Sequence, residues 1–169
     1  MRTLIITPYD AQWPPRFAQE CAWLQAALGQ TVIAIHHIGS TSVPGLAAKP
    51  VIDILLVAAA LDELDRCTPA LARLGYRARG ENGIPGRRYF VKGGDRRTHQ
   101  LHAFAAGDRQ IINHLAFRDY LRQHPEIAAQ YAQVKYAAAQ ACDNDIPRYQ
   151  ALKSAFIGHH LQRAIAALA

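Results

Sequence analysis

The sequence predicts an α+β domain in which a mixed sheet is followed by a helical tail. Three observations predict it. Two apolar runs, Thr31 to Ile38 and Val51 to Val57, are long enough and rich enough in β-branched residues to be central strands. Three shorter β-like runs lie between Tyr76 and Phe104, separated by glycine-containing connections. From Asp108 onward the apolar spacing becomes helical. No internal repeat, low-complexity tract or linker interrupts the chain, so residues 1–169 read as one domain.

Each element has its own signal. Thr3 to Ile6 is a short apolar stretch that reads as an edge strand ending at Pro8. Pro14 and Pro15 suit a first helical turn, where proline's missing amide hydrogen costs nothing, and Phe17, Cys21, Leu24 and Leu28 recur at helical spacing until Gly29. The Gly39-Ser40 turn leaves the end of the first central strand, the place where a helix-flanked sheet usually opens a ligand crevice. The second central strand is apolar on both sides of Asp53, which implies cover on both faces. Leu61 to Leu74 is amphipathic, with Pro69 splitting or kinking it. Tyr76 to Arg79, Arg88 to Lys92 and Thr98 to Phe104 form an antiparallel meander, turning at Gly83, Pro85 and Gly86 and again at Gly93-Gly94. His99 and His102 fall an odd number of residues apart on the last of these strands, so they point to opposite faces and do not act jointly as ligands. Helices follow from Asp108 to Gln123, Pro125 to Cys142 and Pro147 to the C-terminus, each opened by an acidic residue or a proline.

Composition narrows the function classes. Half of the residues are apolar, enough for a core, yet every apolar run is far short of the roughly 20 residues that span a bilayer. MRTLIITPYD lacks the pattern of a signal peptide, and the expected location is cytoplasmic, with no membrane partner. Cys21, Cys67 and Cys142 are odd in number and widely spaced, which fits buried small residues rather than a disulfide framework or a metal site. The net charge of +6 favours anionic ligands, and arginine outnumbers lysine 15 to 4. Eight basic residues between Arg73 and Arg97 face only Glu81 and Asp95. Nucleic acid is the natural alternative partner, but no standard nucleic-acid module is visible and the aromatics are not interleaved for stacking.

The stretch with most chemistry is HHIGSTSVPGLAAKPVIDILLV, residues 36–57. A carboxylate flanked by apolar residues in a covered strand needs a partner, because an unpaired buried charge costs several kcal/mol. Two readings of Asp53 stay open: a structural carboxylate satisfied by amides or an arginine, and one that meets a cation or a substrate proton. Gly39 lets the backbone approach a ligand, and Ser40, Thr41 and Ser42 add hydroxyls, so the turn reads as a phosphate cradle or as an ordinary capped turn. It is neither a Walker loop nor a Rossmann loop, since the required glycine spacings are absent.

These residues, together with others along the chain, resemble the GrpB family. The resemblance rests on Pro8-Tyr9-Asp10 and Trp13-Pro14, on HIGSTSVPGLAAKPVIDI, and on GIPGRRYF at 83–90. It continues through His99 and His102, HLAFRDYL at 114–121, and Tyr149 with Lys153. It implies a nucleotidyltransferase-like fold, also found attached to dephospho-CoA kinase, and a nucleotide or other phosphorylated small molecule as partner. The candidate catalytic residues are Asp53 and His102. The candidate phosphate-binding residues are Gly39, Ser40, Thr41, Lys49, Arg88, Arg118, Lys135 and Lys153. Asp53 is the candidate ligand for Mg2+ or Mn2+.

One departure bears on activity. Nucleotidyl transfer normally uses two divalent ions held by carboxylates. Folds of this kind place two acids two residues apart on one strand, and here the partner position of Asp53 is Leu55. Further ligands would have to come from Glu81 or His102, and whether the chain is an enzyme stays open. Tyr131 with Lys135, and Tyr149 with Lys153, lie four apart on helix faces and read either as a lid over a phosphate or as surface packing.

Overall fold

The computed structural model describes residues 3–169. Five strands, β1 (Val32–Ile38), β2 (Ile52–Ala58), β3 (Tyr76–Ala78), β4 (Arg88–Lys92) and β5 (His99–Ala105), form one mixed sheet in the order β1-β2-β5-β4-β3. β1 and β2 are antiparallel, β2 and β5 parallel, and β5, β4 and β3 make the expected antiparallel meander. The parallel pair requires a long crossover, supplied by α2 (Leu61–Arg66), α3 (Thr68–Arg73) and the meander's first two strands. Pro69 sits in the first turn of α3, so of the two outcomes open for Leu61 to Leu74 the structure takes the split, into two short helices meeting at Cys67.

The apolar runs pack as alternation requires. Ile52, Ile54, Leu56 and Ala58 turn one face of β2 toward Trp13, Leu24 and Leu28 of α1 (Trp13–Leu28) and toward Leu64 and Leu71. Leu55 turns the other way and packs with Ile38, Phe104, Ile111 and Leu115, the last two from α4 (Arg109–Gln123). β2 is thus covered on both faces, which is why its sequence does not alternate. The α1 face is not wholly apolar: Glu20 is buried on it and receives Lys92 Nζ at 2.8 and 2.9 Å.

The helical tail continues with α5 (Pro125–Ala141) and α6 (Ile146–Ala166). Asp108 caps α4 by accepting from the Gln110 amide, and Asp145 caps α6 by accepting from that of Arg148. Thr3 to Ile6 is not a strand of the sheet. The N-terminal segment makes one isolated β-bridge, Thr7 to Ala48 in the loop between β1 and β2, and is also held by the Leu4 amide donating to Asn144 Oδ1 and by Leu4 and Ile6 packing against Ala138, Cys142 and Tyr149. Among the described residues no helix is long and apolar enough to cross a membrane.

Candidate functional site

The site begins with the register of two strands. Ile38 ends β1 opposite Asp53 of β2, so the chain leaving β1 turns directly over the carboxylate. Gly39 has φ +69, and a Cβ there would lie 2.7 Å from Asp53 Oδ2. Both the left-handed backbone and the close approach therefore require glycine. Residues Ser40–Ser42 form one 3₁₀ turn whose hydroxyls are already engaged. Thr41 Oγ1 lies 2.9 Å from His37 Nε2, Ser42 Oγ donates to the Gly39 carbonyl, and Ser40 hydrogen-bonds Tyr131. The turn forms a wall of the site, with its hydroxyls serving the fold.

β5 brings the next partner. Its parallel pairing places His102 beside Leu55, and His102 Nε2 lies 3.1 Å from Asp53 Oδ1. On the other side of the ring, an amine of Arg87 approaches His102 Nδ1 at 3.4 Å. A guanidinium only donates, so Nδ1 accepts and Nε2–H donates to Asp53. Arg87 is itself fixed by bonds to the carbonyls of Glu81 (3.0 Å) and Asn82 (2.7 Å). Burial alone would raise the Asp53 carboxyl, whose side chain is 26% exposed. The His102 hydrogen bond, together with the charge of Lys49, outweighs it and holds Asp53 below the ordinary carboxylate range. His114, half-buried beside His102, is pushed down to about 4 chiefly by the loss of water around the ring and stays neutral.

The helical tail closes the far side. Lys135 of α5 is only 2% exposed; its ammonium donates to the Ala47 carbonyl and lies 4.5 Å from the Tyr131 ring centre. Lys153 of α6, 7% exposed, sits 4.2 Å over the Tyr149 ring, which Lys49 also approaches at 5.5 Å. Burial, with Lys153 and Lys49 nearby, pushes the Lys135 amine down to about 7. Burial and Lys49 push Lys153 down to about 8, against the opposing pull of Asp53.

One cavity of about 280 Å³ is lined by Gly39, Ser40, Thr41, Lys49, Asp53, His102, Lys135 and Lys153 together. Two other candidates lie elsewhere. Arg88 makes a two-point pair with Asp65 at 2.7 and 2.9 Å, on the α2 side of the sheet. Arg118 is occupied by Asp119 at 2.8 Å and by the His37 carbonyl at 3.2 Å, so it ties α4 to β1. Tyr131 and Tyr149, read in the sequence as partners of Lys135 and Lys153, and His114 of HLAFRDYL help complete the walls, with two residues the sequence did not single out: Gln100, two positions before His102 and hence on its face, and Gln150. Arg87, the neighbour of Arg88, is the arginine of that pair that reaches the site.

The donor set does not fit a two-metal centre. Among the described residues Asp53 is the sole carboxylate lining the cavity, one of its oxygens is bonded to His102, and Leu55 is fully buried where a second acid would stand. Glu81 is turned away, accepting from the Gly86 amide at 2.8 Å. Among the described residues no three His, Cys, Asp or Glu side chains group as metal ligands. What the cavity does offer is cationic: three of the chain's four lysines converge on it.

Comparison with known proteins follows the same lines. The family model described as GrpB protein matches residues 3–163. The UPF0157 protein YqkA of Bacillus subtilis (strain 168) is 44% identical over 148 residues, which are 88% of this chain and 43% of that protein. A dephospho-CoA kinase of Mycolicibacterium paratuberculosis is 29% identical over 184 residues, covering 94% of this chain and 45% of the kinase. The chain spans less than half the length of both relatives. Among solved structures, conserved protein GrpB from Enterococcus faecalis superposes with a TM-score of 0.93 at 40% identity, over 97% of this chain and 99% of that one. Terminal uridylyl transferase 4 from Trypanosoma brucei, with bound UTP and UpU, gives a TM-score of 0.53 at 16% identity, over 92% of this chain and 54% of that one. At that identity the likeness is one of fold, which is nucleotidyltransferase-like.

Proposed function

Because the chain belongs to the GrpB protein family, we propose that it binds a nucleotide or another phosphorylated small molecule in the lysine-lined cavity beside Asp53. The observation that carries this reading is the convergence of Lys49, Lys135 and Lys153 on one cavity with a single carboxylate opposite. Gathering like charges where water is scarce is unfavourable, and the depressed amines of Lys135 and Lys153 record that cost. A phosphate entering the cavity reverses it, supplying the counter-charge and accepting from the ammonium groups.

Leu55 favours recognition over two-metal nucleotidyl transfer. Asp53 then serves as the internal counter-charge of the cavity and as the anchor of His102. Mg2+ or Mn2+ enters this reading only as an ion carried on the ligand's own phosphates, because a hard cation needs more oxygen donors than Asp53 provides. A cytosolic metabolite is the fitting ligand class. The relation to dephospho-CoA kinases adds coenzyme A precursors to the nucleotides worth testing.

The test is a calorimetric and thermal-shift screen of nucleoside mono-, di- and triphosphates and coenzyme A precursors, with and without Mg2+ or Mn2+. Stabilisation by a phosphorylated compound, lost in Lys49→Ala and Lys153→Ala, is the expected result. Equal binding by parent and variants would remove the cavity from consideration.

A further inference from the structure

Beside the lysine cavity lies a second, larger hollow of about 570 Å³, roofed by the β3–β4 loop and the first turns of α6. The two share Lys49, Gln100, His102 and Gln150, so one wall is common to both. The second hollow is cationic in a different way. Arg79, Arg87 and Arg97 line it, and no aspartate or glutamate does. Arg87 is spoken for by the Glu81 and Asn82 carbonyls and by His102. Arg79 and Arg97 have no carboxylate partner among the described residues. Arg97 is the more telling of the two, since its Nε is shielded from solvent and has no hydrogen-bond partner. A shielded guanidinium nitrogen without an acceptor is uncommon, because the group gives up water and receives nothing in exchange.

Volume argues in the same direction. A cavity of about 280 Å³ is at the lower limit of pockets that enclose a small ligand, whereas pockets of roughly 300–1,000 Å³ are the usual range. A phosphorylated molecule seated on the lysines therefore has to extend, and the shared wall leads it past His102 and Gln100 into the arginine-lined hollow. Arginine there suits a phosphoryl group better than a neutral one, since its planar donors meet two oxygens at once.

We propose that the arginine-lined hollow is a second phosphoryl subsite, and that the ligand carries two phosphoryl groups on separate positions of one small molecule. One group sits among Lys49, Lys135 and Lys153, and the other meets Arg79 and Arg97. This rests on the reading of the lysine cavity as a phosphate site and narrows its ligand to bis-phosphorylated compounds, with a nucleoside 3′,5′-bisphosphate as the simplest case.

The test compares adenosine 3′,5′-bisphosphate with adenosine 5′-monophosphate by calorimetry at about 150 mM salt, where diffuse charge attraction is screened beyond roughly 8 Å. The bisphosphate binds at least about tenfold tighter to the parent protein, a gain of about 1.4 kcal/mol. In the Arg79→Ala/Arg97→Ala double variant the ratio of the two affinities falls to about one, and Arg97→Gln alone lowers it without a change of fold that melting would reveal. Equal affinities in the parent would overturn the second subsite and leave the lysine cavity standing. A preference that survives in the double variant would also overturn it, since the second group would then lie elsewhere. Failure of both compounds to bind would remove the first phosphate site and the second with it.

Discussion

Proton uptake on ligand binding is the most direct consequence of the lysine pair. With the Lys135 amine at about 7 and that of Lys153 at about 8, the free protein at pH 8 carries roughly a tenth of a proton on the first and half of one on the second. A phosphate between them restores the charged forms and draws in about 1.4 protons. ADP is a suitable probe, because its terminal phosphate, with a pKa near 6, is already ionised at pH 8. Linkage fixes the sign: the complex binds more protons than the free protein, so affinity falls as pH rises through 7 and 8. Together the two shifts weaken binding by nearly four orders of magnitude, roughly 6,000-fold, between pH 6.5 and 9.5. The assay is calorimetry in buffers of different ionisation enthalpy, with the uptake read from the slope. Lys153→Arg, whose side chain keeps its proton, should lower the uptake at pH 8 by about half a proton. An uptake below about 0.3 protons, or an affinity flat from pH 7 to 9, would show that these lysines do not face the ligand.

In the ligand-free protein the same shifts act on folding: the unfolded chain binds more protons than the folded one from about pH 7 to 10, so their contribution to stability rises with pH across that window, which chemical denaturation at pH 7 and 9.5 checks against Lys135→Met. Gly39→Ala combines a φ of +69 with a 2.7 Å approach to Asp53 Oδ2 and should lower stability by about 2–3 kcal/mol, seen as a reduced melting temperature and weakened nucleotide binding. Arg88→Ala breaks a half-exposed pair with Asp65 and should cost no more than about 1 kcal/mol while leaving nucleotide affinity as it was; a tenfold loss would return Arg88 to the site. Mg2+ titrated without nucleotide should give no saturable heat below about millimolar concentration, and tight binding there would contradict the one-carboxylate description of Asp53.

The sheet was legible because its residues answer to local rules. β-branched runs marked β1 and β2, glycines marked the meander, and proline or aspartate opened the tail helices at nearly the observed places. Thr3 to Ile6 misled because a short apolar run does not reveal whether a strand partner exists, and here only Thr7 finds one, in a loop. Within the site, Gly39, Asp53 and His102 were legible from order and strand face. The choice between Arg87 and Arg88 was not. Adjacent residues point to opposite faces, and the face that holds His102 is fixed by the β4–β5 register, in which Tyr89 opposes His102. Arg118 misled for a related reason: its helix position brings it to the His37 carbonyl, a buried acceptor that no sequence pattern displays.

Asp53 shows why one carboxylate is retained where a transferase would want two. Removing it would take away the one carboxylate that lines the cavity among the described residues, and Lys153, which Asp53 holds up, would fall further toward neutrality. Adding a second acid at position 55 would do the reverse, neutralising the cavity and burying a carboxylate among Ile38, Phe104 and Leu115. With one acid against three lysines, the cavity at neutral pH keeps a net positive charge of one to two, the amount that a phosphate monoester of charge near −2 would offset. Asp53→Asn separates the roles open to this residue. As a counter-charge, its loss lowers the free Lys153 amine and increases proton uptake on ADP binding while leaving the ligand bound. As the organiser of a catalytic ion, its loss would abolish Mg2+-dependent binding and leave uptake unchanged. The first outcome is the one that the single carboxylate, the His102 bond and the buried Leu55 together lead us to expect.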